Sequence, residues 1–199
     1  MTAMRAFLAL PIPLSCALAL SDACAPLRAA AAGWRLIRPG DMHLTLAFLG
    51  DVDRRGAEGA CLAARRAIGR AAPGAQGRRS GIDARARGLV FFPPRGLATV
   101  LAAGLGDGAR EIAALADGIE RELERVGAET GVPFRPRERR PFLPHVTLAR
   151  ARRPGIGVPA RGLAVPLDCP CRLDTVALYR SEPGPGGPRY EALELMTLG

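Results

Sequence analysis

Two short segments of this chain share one pattern, and this repetition limits the possible folds more than any other feature. Residues 43–47 read HLTLA in the first half of the chain, and residues 145–149 read HVTLA in the second. Polar and apolar residues alternate in both, which is typical of a strand with one buried face. Each histidine then shares a face with the threonine two places on. The pattern predicts two similar strands that each present polar groups on one side.

The elements around these strands repeat as well, in the order strand, helix, strand. The predicted bounds are 5–10, 15–32 and 43–49 in the first half, and 97–103, 109–126 and 143–149 in the second. Ser15 is expected to cap the first helix and Gly127 to end the second. A helix near 57–72, a strand at 82–92 and a hairpin of 173–180 with 190–198 complete the set. We therefore predict one domain over residues 1–199, made of two pseudo-symmetric lobes around a cleft.

Composition excludes some function classes and favours an anionic partner. All 28 basic residues are arginine. Without lysine, the chain cannot be an ATP-dependent ligase that captures adenylate on a lysine amine, and it has no lysine-containing phosphate loop. The net charge of +9 fits RNA, DNA or an anionic membrane. A GC-rich genome is an alternative explanation for the arginine content.

The cysteines and the N-terminus favour a cytoplasmic protein. Five cysteines are present without a Cys-x-x-Cys pair, which indicates reduced thiols and makes a structural zinc site unexpected. The apolar run after Arg5 resembles a secretory signal, but Pro11 and Pro13 interrupt it, and it fits a buried strand better. We expect no membrane segment.

Two paired histidines suit a displacement at phosphorus. The imidazole pKa lies near neutrality, so one histidine can accept a proton while the other donates one, and no metal is required. The neighbouring threonine hydroxyls can donate to phosphate oxygens. The alternatives are histidines that form hydrogen bonds at a sheet rim and ordinary β-branched strand threonines. The repetition of the whole pattern favours the catalytic interpretation.

These residues resemble the two-histidine (2H) phosphoesterases, and among them the bacterial and archaeal RNA 2′,3′-cyclic phosphodiesterases once called 2′-5′ RNA ligases. The resemblance is carried by residues 5–10, 33–50, 140–150 and 178–190. It implies a bilobal, duplicated α+β fold with two antiparallel sheets flanking a central cleft and helices outside. It also implies hydrolysis of RNA 2′,3′-cyclic phosphate ends to 2′-phosphates, with no cofactor.

The resemblance also implies a role for each site residue. His43 would be the proton donor and His145 the proton acceptor, while Thr45, Thr147 and Arg150 would bind the phosphate. Arg150 follows His145 by five residues, so a regular strand would turn it to the other face. A phosphate role for Arg150 therefore needs a bulge or a strand end, and the alternative is a member of a solvated basic run.

Some alternatives stay open at the level of sequence. The substrate could be a small cyclic nucleotide or a 2′-5′ oligoadenylate, and a non-catalytic RNA-binding module is a rival of another class. Ligation through a 2′-5′ bond, the reverse reaction, is expected as a weak side activity. Trp34 and Phe48 could each stack on a base or pack in the core. We expect a monomer that needs no protein partner.

Overall fold

The protein is described here from a computed structural model that covers residues 3–25, 33–71, 81–94, 97–137, 141–152, 158–159, 167–185 and 187–199. Three helices lie in this part of the chain: α1 (Leu14–Ala23), α2 (Arg54–Ala71) and α3 (Ala109–Thr130). The strands are β1 (Met4–Pro11), β2 (Trp34–Leu36), β3 (His43–Val52), β4 (Ile82–Phe92), β5 (Leu97–Ala98), β6 (Val100–Leu105), β7 (His145–Ala151), β8 (Val158–Pro159), β9 (Asp168–Leu173), β10 (Thr175–Glu182) and β11 (Arg189–Thr197). None of the helices among these residues has the length and apolar character needed to cross a membrane.

The strands form two larger antiparallel sheets and one short pair. The first sheet has the order β11-β10-β1-β3, the second has the order β2-β7-β6-β4-β9, and β5 pairs with β8. In the first sheet β1 pairs with β3, and in the second β6 pairs with β7. Along the chain, α1 lies between β1 and β3, and α3 lies between β6 and β7. The predicted α+β class with two antiparallel sheets is confirmed.

Helices α2 and α3 pack against each other and against the sheets. The buried residues of α3 recur every three or four positions, and the row that faces the core consists of Ile112, Leu115, Ile119, Leu123 and Val126. Such a row covers one side of a helix with apolar groups. Helix α2 contacts strands of the first sheet, and α3 contacts β3 and β4.

The helix ends differ from the predictions made from sequence. Helix α1 begins at Leu14, because the Pro13 carbonyl accepts the first helical hydrogen bond from Ala17, so Ser15 is not its cap. The same helix ends at Ala23, well short of residue 32, and Pro26 follows closely in the sequence. Residues 26–32 lie outside the described part.

Helix α3 extends past Gly127 to Thr130, and Gly131 ends it in the left-handed conformation, with φ of 73°. The Gly131 N–H donates to the Gly127 carbonyl. Gly127 has another role, since a Cβ there would lie 3.1 Å from the carbonyl oxygen of Val132 on the returning chain.

The predicted strand at 97–103 is interrupted at Thr99, which separates β5 from β6. The Thr99 N–H donates to the Phe92 carbonyl and the Thr99 carbonyl accepts from the Ala151 N–H, each at 2.8 Å. The strand at 82–92 has the predicted bounds, and the C-terminal hairpin forms as β10 and β11.

The short connection from β2 to β3 joins the two sheets next to the two His-x-Thr strands. After β2 pairs with β7, the Ile37 N–H donates to the Leu148 carbonyl at 2.8 Å. A single 3-10 turn at Pro39–Asp41 follows, and β3 then begins at His43. Strands β3 and β7 contact each other. The connection therefore holds the two His-x-Thr strands side by side.

Candidate active site

The two histidines occupy equivalent places, because each is the first residue of its strand. His43 opens β3 opposite the end of β1, and His145 opens β7 opposite Gly104 of β6. The imidazoles also interact electrostatically, since the charge on His145 contributes to lowering the pKa of His43. The fold thus brings together residues that are far apart in the chain.

Both imidazoles are held by the same local hydrogen bond. Nδ1 of His43 lies 2.7 Å from the Asp41 carbonyl oxygen, and Nδ1 of His145 lies 2.8 Å from the Leu143 carbonyl oxygen. A carbonyl oxygen only accepts, so each Nδ1 carries the hydrogen and donates it. Each Nε2 is then left to accept a proton when the ring is neutral, or to donate one when it is charged.

A β-bulge places Arg150 on the same side as His145. Leu101 of β6 pairs with Ala149 and the next residue pairs with Thr147, so Leu148 is an extra residue in β7. Leu148 and Ala149 are consecutive buried residues, after which Arg150 is exposed. An extra residue resets the alternation of a strand. The bulge that a phosphate role for Arg150 requires is therefore present.

Strand β3 has the same bulge at the equivalent position. Its pairing with β1 passes from Thr45 to Ala47, which makes Leu46 the extra residue. Leu46 and Ala47 are both buried, and the side chain that follows, Phe48, is 52% exposed. Phe48 thus occupies in one half of the site the place that Arg150 occupies in the other.

Aromatic rings surround His43 far more than His145. The ring of Phe7 lies 4.8 Å from the His43 imidazole, Tyr190 meets it edge-on at 4.9 Å, and Tyr179 lies at 5.9 Å, measured between centroids. On the other side, Phe92 lies 4.7 Å from His145. Sequence reasoning assigned no role to these rings. A usable signal existed for two of them, because the only tyrosines of the chain both fall in the predicted hairpin.

Burial and positive charge lower the pKa of both histidines. For His43, burial is the main cause, and the charges of Arg150 and His145 add to it, against the opposing hydrogen bond to the Asp41 carbonyl. For His145, burial again comes first and Arg150 adds to it, against the hydrogen bond to Leu143. The charge of Arg150 therefore acts on both imidazoles.

The other residues singled out in the sequence differ in location: the two threonines share the faces of the histidines, and Trp34 lies in the core. Thr45 and Thr147 are half-buried and alternate with core residues, on the same faces as their histidines. Trp34 is buried and belongs to the core, so it is not placed to stack on a base. In the described ranges, no three His, Cys, Asp or Glu side chains converge as a metal ion would require.

Comparison with known proteins agrees with this arrangement. A family model described as LigT like phosphoesterase matches residues 10–95. An RNA 2′,3′-cyclic phosphodiesterase from Thermus thermophilus is 33% identical over 195 residues, which span 98% of this chain and 90% of that protein. The crystal structure of a protein from Thermus thermophilus is 32% identical and superposes with a TM-score of 0.75 over 98% of both chains. Apo LigT from E. coli is 22% identical over 99% of this chain and 98% of its own, and its TM-score of 0.66 shows the same fold. The chain therefore belongs to the LigT-like, two-histidine phosphoesterase family.

Proposed function

We propose that this protein hydrolyses 2′,3′-cyclic phosphates at RNA ends and leaves a 2′-phosphate. The observation that carries the proposal is the pair of matched imidazoles, each held through Nδ1 so that Nε2 is available for proton transfer. The relative from Thermus thermophilus that is named for this reaction supports the choice of substrate.

Two histidines on two strands meet the needs of an in-line displacement. The attacking and leaving oxygens lie on opposite sides of phosphorus, so each needs its own proton-transfer group. In the proposed mechanism, neutral His145 takes a proton from water as the water oxygen bonds to phosphorus. Protonated His43 gives its proton to the 3′-oxygen as the bond from that oxygen to phosphorus breaks. The same displacement with a 5′-hydroxyl in place of water, its proton taken by His145 and the 3′-oxygen protonated by His43, would give weak 2′-5′ ligation.

Arg150 and the two threonines would stabilise the phosphate. Charge builds on the non-bridging oxygens in the transition state, and donors placed there lower the barrier. Arg150 is suited to this role because its charge reaches both imidazoles. Thr45 and Thr147 share the faces of their histidines and would each donate from a hydroxyl.

The unequal surroundings of the two histidines favour this direction. The leaving 3′-oxygen belongs to the nucleoside, so the base must lie on the side of the proton donor. Aromatic rings cluster around His43, and Phe48 is exposed with its ring 6.2 Å from that of Phe7, one of the rings in that cluster. Nucleobases stack on such rings. We therefore assign His43 as the acid and Phe48 as a stacking surface for the base.

The test is turnover of a short RNA that ends in a 2′,3′-cyclic phosphate. We expect His43→Ala and His145→Ala each to reduce kcat by roughly 10² to 10⁴, because each removes one proton-transfer group. Arg110→Ala, an exposed change on α3, is the matched control and should retain full turnover. The product should resist a 3′-specific phosphatase. Near-normal turnover in either histidine variant, or a 3′-phosphate product, would contradict the proposal.

A further inference from the structure

A small open cavity lies next to the residues that hold His43, and residues of β2 in the second sheet and of β11 in the first both line it. Its lining contains three arginines, Arg35, Arg38 and Arg189, against one carboxylate, that of Asp41. Guanidinium groups bind phosphate oxygens with charge-assisted hydrogen bonds and match their geometry. Three of them around one concave surface favour an anionic ligand such as a phosphate diester.

The cavity shares a wall with the catalytic cleft. Tyr190 lines the cavity, and its ring also meets the His43 imidazole edge-on at 4.9 Å. Asp41 lines it too, and the carbonyl oxygen of the same residue accepts the hydrogen bond from Nδ1 of His43. A ligand in the cavity is therefore separated from the proposed acid by a single layer of side chains.

Positive charge continues from Arg150 into the cavity. Arg35 of β2 pairs directly with Arg150 of β7, and directly opposed residues of antiparallel strands project from one face. Burial raises the pKa of the Tyr190 phenol, and the charges of Arg150 and Arg35 both oppose this effect. The charges of Arg35 and Arg150 therefore both reach the ring that lines the cavity.

Gly187 lies against the Arg35 guanidinium, and both residues line the cavity. The glycine has a φ of 104°, a conformation that residues with a side chain rarely adopt. A Cβ at Gly187 would also overlap the guanidinium of Arg35. The positive φ therefore favours glycine in this turn, and the absence of a Cβ leaves room for the Arg35 guanidinium beside it.

We propose that this cavity binds the phosphate on the 5′ side of the terminal nucleotide, so that the enzyme prefers the end of an RNA chain to a free cyclic nucleoside phosphate. The inference rests on the proposed function, in which the nucleoside lies on the His43 side of the phosphorus. Everything 5′ of that nucleoside then leaves the cleft on the same side, where the three arginines lie. An RNA with its nucleoside beside His145 would not meet them.

The sharpest test compares two substrates that differ only in this phosphate: a nucleoside 2′,3′-cyclic phosphate, and the same compound with a 5′-phosphate. We expect the wild type to favour the second by about tenfold in kcat/KM, as for one charge-assisted contact. In Arg38→Ala and Arg189→Ala the preference should fall toward one. Arg110→Ala, which removes an exposed charge that does not line the cavity, should keep the preference.

A second measurement uses an RNA trinucleotide that ends in the cyclic phosphate. The plot of log kcat/KM against log salt concentration has a negative slope. Each cavity variant should make this slope shallower by about 0.7, the value for one phosphate contact on a single strand. If the wild type turns over both small substrates equally, or if the cavity variants keep the preference, the inference is wrong while the proposed function stands. If the wild type hydrolyses neither cyclic phosphate, the proposed function itself fails.

Discussion

The single charge of Arg150 changes the pKa of both His43 and His145. Its guanidinium lowers the pKa of His43 and of His145, in addition to the larger effect of burial on each. The catalytic cycle needs one neutral and one protonated imidazole at the same time. A residue that lowers both pKa values therefore shifts the range of pH in which this combination is populated, in addition to its proposed contact with the phosphate.

The pH dependence of kcat/KM should reflect this charge. The rate rises with pH as His145 loses its proton and falls as His43 loses its own, which gives a bell-shaped profile. Both pKa values are lowered, so we expect the maximum below about pH 6.5, the ordinary histidine value. The two apparent pKa values belong to the coupled pair.

Variants of Arg150 separate its charge from its phosphate contact. Arg150→Ala should reduce kcat/KM roughly 10²-fold, and it should move the whole profile to higher pH because both pKa values rise. Arg150→Lys keeps the charge but loses the bidentate geometry, so its profile should stay in place while its rate falls. An unmoved profile in Arg150→Ala would show that the guanidinium does not act on the histidines.

Among the elements, the contact between α2 and α3 depends on a buried carboxylate. Glu122 of α3 is 2% exposed, and its Oε1 atom lies 2.5 Å from Nη1 of Arg70 on α2 and 2.8 Å from Nη1 of Arg125. A second ion pair, Arg66 with Glu129, joins the same two helices at 2.8 Å but is half-exposed. The two pairs therefore differ mainly in how well water solvates the carboxylate.

Removal of the partners of Glu122 should destabilise the protein strongly. The double variant Arg70→Ala/Arg125→Ala leaves a buried carboxylate unpaired, and we expect the free energy of unfolding in urea to fall by about 3 kcal/mol. Arg66→Ala, the matched control, should cost under about 1 kcal/mol because its partner stays hydrated. Equal losses in the two variants would mean that burial of Glu122 has no energetic effect.

Local sequence patterns predicted most helices and strands. They could not predict features that depend on how strands far apart in the chain pair with each other. Alternation and helical spacing were sufficient for β4 and for the start of α3. For Arg150, alternation indicated only that a bulge or strand end was needed. The bulge itself depends on the partner of β7 and on the bond from Ile37 to the Leu148 carbonyl, which alternation does not encode.

The aromatic residues around His43 illustrate the same limit at the site. Phe7, Tyr179 and Tyr190 come from three strands, β1, β10 and β11, that meet only when the first sheet forms. Each residue alone is an ordinary strand aromatic. The histidines could be found because their pattern is local and repeated, but the rings share no local pattern with them.

For the molecule as a whole, the two larger sheets divide the proposed work between them. The first sheet carries His43 and the aromatic rings, and the second carries His145 and Arg150. The proposed acid, base and phosphate-binding charge are thus all side chains of the chain itself. The proposed mechanism therefore depends on how the two sheets are held together.

Activity should accordingly survive the removal of metal ions and nucleotides. We expect enzyme dialysed against EDTA to keep its kcat on a cyclic phosphate end without ATP, because His43, His145 and Arg150 supply proton transfer and charge. Addition of Mg²⁺ or Zn²⁺ after dialysis serves as the control. A loss of turnover on dialysis that a metal ion restores would contradict the proposed mechanism.

The shared bulge has an evolutionary consequence. An extra residue interrupts both His-x-Thr strands at the same place, at Leu46 and at Leu148. Bulges are retained within families, so one duplication of an ancestral gene segment explains both, whereas independent origins require the same insertion twice. On that account, Phe48 and Arg150 would descend from one ancestral position, which diverged into the proposed surface for the base and the proposed contact for the phosphate. An ancestor of half this length, paired with its own copy, would have had identical residues at both places and no means of orienting its substrate.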